Sequence, residues 1–88
     1  LYANVRPIRL FPGIQQRLSR GWGEFWRPED VDIVIVRENT EGLYVRIGGV
    51  AEGGGGALDN RLITEKGSKR ITEFAAKVAM KRDGHLTC

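Results

Sequence analysis

Val31-Asp32-Ile33-Val34-Ile35-Val36, followed directly by Arg37-Glu38-Asn39-Thr40-Glu41-Gly42, is the stretch whose reading decides the fold class. Its first half is a nearly unbroken β-branched run, too short and too branched for a helix, and it reads as a strand. A strand apolar at consecutive positions is expected to be buried on both faces, as central strands of α/β sheets are when helices cover each side. The polar run then falls at the strand's carboxyl end, where open α/β sheets place their ligands.

Upstream, residues 2–9 read as a second strand, with Ala3, Val5 and Ile8 apolar. Pro7 removes a backbone donor, which favours an edge position or a bend. Leu10 and Phe11 extend it before Pro12-Gly13 turns the chain. Residues 14–30 show no sustained period and are punctuated by Ser19, Arg20, Gly21, Gly23 and Pro28. They read as a surface loop tacked down by Trp22, Phe25 and Trp26.

Downstream, residues 43–50 alternate weakly, Gly53-Gly54-Gly55-Gly56 is a flexible turn, and residues 57–63 return as a strand. This predicts a β-hairpin with too thin a core to stand alone, an arm over about residues 43–64 that pairs with another chain. A glycine run of this kind superficially suggests a phosphate cradle, but no helix start with Lys-Ser or Lys-Thr follows it. Gly67, Ile71, Phe74, Ala75, Val78 and Ala79 then lie on one stripe at helical spacing, with Lys69, Arg70, Glu73, Lys77 and Lys81 outside it. Thr64 or Ser68 caps this helix, and Gly84 ends it in a left-handed turn. Residues 85–88 read as the start of a further strand, which would make the helix a parallel crossover.

At 41% hydrophobic and 28% charged, the 88 residues have the composition of soluble globular protein, not of a disordered tail, a collagen-like repeat or a membrane protein. Fourteen basic residues are nearly offset by eleven acidic ones and are spread along the chain, which argues against a nucleic-acid surface. His85 lacks companions at metal-ligand spacing. Cys88 is alone, so no disulfide framework exists, and a reducing compartment, the cytoplasm, is expected. A free domain of this size would bury only about 60% of its unfolded surface. The apolar first and last residues add to the expectation of an interior piece of a longer protein.

Two segments carry a family resemblance. Leu1-Tyr2-Ala3-Asn4-Val5-Arg6-Pro7 and Ile33-Val34-Ile35-Val36-Arg37-Glu38-Asn39-Thr40-Glu41-Gly42-Leu43-Tyr44 resemble the isocitrate, homoisocitrate and isopropylmalate dehydrogenases, in that family's order. The resemblance implies an α/β fold, here a fragment of a three-layer isopropylmalate-dehydrogenase-like architecture with a β-hairpin arm. Residues 1–88 would belong to its substrate-binding and dimerisation domain, with the flanking parts elsewhere. It implies oxidation of a 2-hydroxy acid by NAD or NADP, assisted by Mg²⁺ or Mn²⁺, then loss of carbon dioxide and protonation of the enolate. A homodimer or larger homo-oligomer formed through the arm is implied, and neither nucleic acid nor membrane is expected as a partner.

Residue by residue, the resemblance makes Arg6 and Arg37 carboxylate binders and Tyr44 the proton donor to the enolate. A polycarboxylate calls for permanently charged, planar, forked donors, which guanidinium supplies and ammonium does not. Tyr44 would work beside a lysine from the partner subunit, beyond Cys88. Asn39 and Thr40 are candidates for touching substrate or the nicotinamide end, while Glu38 and Glu41 support the loop. No metal ligand and no adenosine-binding loop is found in this stretch, so the fragment is expected to be inactive alone. Isopropylmalate enzymes tend to show Thr-Gly-Gly where this chain has Thr40-Glu41-Gly42, which favours isocitrate, homoisocitrate or tartrate/malate types of substrate. Leu43-Tyr44-Val45 is most similar to homoisocitrate dehydrogenases. Two other readings stand beside this one: a non-catalytic regulatory subunit of the same fold, and a basic nucleic-acid-binding module using Trp22, Phe25 and Trp26 beside Arg17, Arg20 and Arg27.

Overall fold

The computed structural model describes the backbone of all 88 residues and the side chains of all but Val45, Arg46, Ile47 and Glu52. The alternation expected over residues 43–50 falls partly on Val45, Arg46 and Ile47 and to that extent lies outside the described residues. The elements in chain order are strands β1 (Ala3–Arg9), β2 (Gln16–Leu18), β3 (Gly21–Gly23), β4 (Asp32–Glu38), β5 (Gly42–Val50) and β6 (Ala57–Leu62), then helix α1 (Glu65–Met80). The chain is mixed α/β. It forms two compact units, one of Leu1–Asn4 with Val36–Cys88 and one of Val5–Ile35. Strand β1 pairs with β4, β2 with β3, and β5 with β6.

In the unit of residues 5–35 the expected irregular loop is instead a short antiparallel hairpin, with Arg17 opposite Trp22 and Leu18 opposite Gly21. A side chain stabilises it. Gln16 accepts the backbone N–H groups of Phe25 and Trp26 on Oε1 and donates through Nε2 to the Trp26 carbonyl at 2.7 Å. Satisfying three backbone groups with one amide gives order to a segment without hydrophobic period. The aromatics do not tack it down: Trp22 is 66% exposed and Phe25 67%. Phe25 and Trp26 pack edge to face, and Arg17 lies over Trp22, so these rings are used on each other and on a cation.

Strand β4 corrects another expectation. Its burial alternates, with Ile33 and Ile35 about half exposed and Val34 and Val36 partly covered. A two-stranded ribbon has no second layer to cover its far face, so only one side of the β-branched run gains shelter.

The unit of Leu1–Asn4 with Val36–Cys88 is organised by α1. Its N-cap is Thr64, whose side chain accepts from the Gly67 N–H. Gly67 and Ala79 are buried, and Ile71, Phe74, Ala75 and Val78 are partly buried, as the stripe predicts. Tyr2 meets Phe74 edge to face, with centroids 6.3 Å apart. The helix ends at Met80, and Gly84 adopts φ +80° with its N–H bonded to the Ala79 carbonyl. Strands β5 and β6 form the expected hairpin, closed at its tip by Ala51 N–H to the Gly56 carbonyl. Residues 85–88 do not form a strand: His85 bonds locally, to Asp83 through its N–H and to Thr87 through its ring, with no partner strand. No parallel crossover is completed. Among the described residues Ala79 is the sole buried apolar side chain, a core too small to account for stability by itself.

Candidate functional site

The polar run begins inside β4, whose last two residues, Arg37 and Glu38, are sent by strand geometry to opposite faces. Arg37 projects to one side, and its Nη2 donates to the Asn39 Oδ1 at 3.2 Å. Its guanidinium carbon lies 4.7 Å from the centroid of the Tyr44 ring. Such a stack at an exposed site contributes about 0.5–1 kcal/mol, enough to bias a rotamer and too little to lock it. Charge-assisted bonds to a bound carboxylate, at about 1.5–3 kcal/mol each, outweigh it. Arg37 is therefore oriented and still free to turn toward an anion.

Glu38 projects to the other side, toward α1. One carboxylate oxygen accepts both the Thr40 N–H and the Thr40 hydroxyl, and the other faces Arg70 Nε at 3.5 Å. Arg70 also donates to the Thr40 hydroxyl at 2.6 Å and lies over the Tyr2 ring. The Asn39 N–H donates to the Tyr2 carbonyl. The Thr40 hydroxyl thus bonds both Glu38 and Arg70, and the loop is tied to the helix at residue 40. The Thr40 hydroxyl, as main cause, holds the Glu38 carboxyl below its ordinary value, with Arg70 adding to the effect.

A second tie lies one residue further on. The Glu41 carboxylate accepts from both the backbone N–H and the hydroxyl of Thr64, the α1 cap, 23 positions away. These bonds lower its pKa, the hydroxyl bond most. Gly42 follows with φ +68°, and the Tyr44 N–H donates back to the Glu41 carbonyl, closing a tight turn that β-carbon-bearing residues resist. That turn puts Tyr44 at an open pocket of about 320 Å³, whose wall also includes Glu38, Glu41, Arg61, Ser68 and Ile71.

Arg37, Asn39, Thr40 and Tyr44 lie in one unit, and the structure brings Arg37, Asn39 and Tyr44 together. Arg6 lies in the other unit, exposed on β1. Arg70, outward by the helical pattern, is instead partly buried at the centre of the loop's network. Its spacing held the clue: three positions after Gly67 and four before Phe74, it borders the buried stripe. Thr64, Gly67 and Arg61 carried no legible sign of a role beside the site.

The profile of the isocitrate/isopropylmalate dehydrogenase family matches residues 1–88, the whole chain. The chain belongs to that family. This dehydrogenase-family chain is 48% identical over 84 residues to a homoisocitrate dehydrogenase of Methanocaldococcus jannaschii, covering 94% of the chain and 23% of that protein. It is 37% identical over 89 residues to a 3-isopropylmalate dehydrogenase of Bifidobacterium longum, covering 98% of the chain and 24% of that protein. It is also 37% identical over 90 residues to a tartrate dehydrogenase/decarboxylase of Pseudomonas putida, covering 98% and 23%. The chain thus spans about a quarter of the length of these relatives.

Proposed function

We propose that this chain is the substrate-gripping segment of a longer dehydrogenase that oxidises and decarboxylates a 2-hydroxy di- or tricarboxylic acid. The observation that carries the reading is the Arg37 guanidinium stacked over the ring of Tyr44, a residue that also lines an open pocket. An anion binder and a phenol side by side suit a reaction that begins with a polycarboxylate and ends with protonation of a carbanion. In this reading Arg37 takes one substrate carboxylate, turning from the Tyr44 ring as it does so, and Asn39 keeps it within reach. Arg6 takes another. Tyr44 donates its phenolic proton to the enolate carbon left when carbon dioxide departs, and Thr40 fixes the loop that carries Arg37.

In the full-length protein NAD or NADP would accept the hydride, and Mg²⁺ or Mn²⁺ would polarise the 2-oxygen. Among the described residues no three His, Cys, Asp or Glu side chains converge as metal ligands, so no metal step is assigned to this segment. The exposed apolar side chains, among them Leu43, Ile63 and Phe11, support a segment that folds with more chain around it. The β5–β6 hairpin is proposed as the arm that joins two copies, and the cytoplasm as the compartment, consistent with a lone exposed thiol. No described helix is long and apolar enough to cross a membrane.

The homoisocitrate relative makes homoisocitrate the substrate to try first, with isocitrate, tartrate, D-malate and isopropylmalate beside it. The full-length protein carrying this segment should reduce NAD or NADP with one of these acids and Mn²⁺, releasing carbon dioxide in equal amount. Absence of reduced nicotinamide with every acid would overturn the assignment.

A further inference from the structure

Glu41 is part of the pocket wall and is held at both its ends. Its carboxylate is bonded to the Thr64 cap of α1, and its carbonyl receives the Tyr44 N–H at 3.3 Å. Its carboxylate also occupies the space where residue 67 would carry a side chain. A Cβ built on Gly67 would lie within 2.7 Å of the Glu41 Oε1 and closer still to the rest of the carboxylate. Gly67 is a buried helical residue with ordinary φ, so its lack of a side chain serves this approach and not a backbone conformation. A glycine inside a helix is otherwise unfavourable relative to alanine. The Gly67 N–H donates to the Thr64 hydroxyl, which donates in turn to Glu41, so one chain of donors runs from helix to carboxylate.

We infer that Gly67 and Glu41 are positioning residues that set where Tyr44 stands: the bare helix surface at Gly67 receives the Glu41 carboxylate, and the Glu41–Tyr44 turn follows it. This deepens the functional reading and rests on Tyr44 being the proton donor. A methyl group at residue 67 would displace the flexible end of Glu41 in preference to helix backbone. The carboxylate would then lose its two Thr64 bonds, and the turn its anchor.

The test compares Gly67→Ala, Glu41→Ala and the double variant in the full-length protein, by steady-state kinetics and by hydrogen exchange at the Thr64 and Tyr44 amides. Each single variant should lower kcat by about ten- to a hundredfold with KM nearly unchanged, as small misplacements of reacting groups do. Each should also speed exchange at both amides. The double variant should be no worse than Glu41→Ala, because the added methyl no longer meets a carboxylate. It should melt no lower than Glu41→Ala, since alanine favours the helix, which keeps the cycle readable even if Gly67→Ala alone folds poorly. Additive losses, or a Tyr44 amide indifferent to both substitutions, would overturn the inference. A wild-type protein without turnover whose Thr64 and Tyr44 amides still respond together would remove the catalytic reading and uphold the coupling.

Discussion

The guanidinium of Arg37 lies over the ring of Tyr44, 4.7 Å from its centroid, and is bonded behind to Asn39. Six residues lie between the two in the chain, and the Gly42 turn brings them back together. The arrangement gives the site a charged fork that is aimed but not committed, a state suited to capturing an anion from solution.

If Arg37 takes a substrate carboxylate, Arg37→Ala should lower kcat/KM of the full-length enzyme by roughly ten- to a few-hundredfold, the equivalent of one or two charge-assisted bonds. Arg37→Lys should recover little of it, because an ammonium offers no planar fork and stacks poorly on a ring. Full recovery by lysine would show that only the charge matters.

Gly42 holds φ +68° with open space around the position where a Cβ would be, so its cost on substitution is conformational alone. Gly42→Ala should destabilise by about 1–2 kcal/mol, read as a lowered Tm, and should reduce kcat through Tyr44. An unchanged Tm would mean the turn relaxes without penalty.

These details mark what was legible in the sequence. The strand expected over residues 31–36 and found over 32–38, the β5–β6 hairpin, the Thr64 cap and the apolar stripe of α1 follow from local pattern, because each is fixed by neighbours within a few residues. The Gln16 clasp that orders residues 16–26 is a side-chain contact ten positions long with no periodic trace. The same holds for Glu41 with Thr64 and for Arg70 with Thr40. The single-faced shelter of β4 depends on how many layers are present, which a β-branched run does not record. The motif around Arg37 and Tyr44 is legible only through family resemblance, and it is the geometry that joins those two.

Thr64 serves both the helix and Glu41, so Thr64→Ala should cost more than the roughly 1 kcal/mol of an ordinary N-cap loss. Thr64→Ser, which keeps the hydroxyl, should restore most of it. Equal melting temperatures for the two variants would argue that the hydroxyl bonds are unimportant.

The pH dependence follows from the two loop carboxylates. Glu38 is held below its ordinary value of 4.5 chiefly by the Thr40 hydroxyl, and Glu41 below the same value chiefly by the Thr64 hydroxyl. A carboxyl lowered on folding contributes stability that is complete above its unfolded pKa and is lost as pH falls through the depressed folded value. Protection of the Thr40 and Thr64 amides, measured by hydrogen exchange, should therefore be constant at neutral pH and fall on acidification below about 4.5. Glu38→Gln and Glu41→Gln should each flatten that response at their own threonine. A loss beginning near pH 7 would point to a different titrating group.

The most direct measurement is the turnover of the full-length protein with Tyr44→Phe, which removes one oxygen and leaves the ring that Arg37 stacks upon. General acid catalysis contributes roughly a hundred- to ten-thousandfold. The kcat for release of the decarboxylated, protonated product should fall within that range, with KM close to wild type. A phenylalanine enzyme that turns over at the wild-type rate would contradict the role of Tyr44 as proton donor.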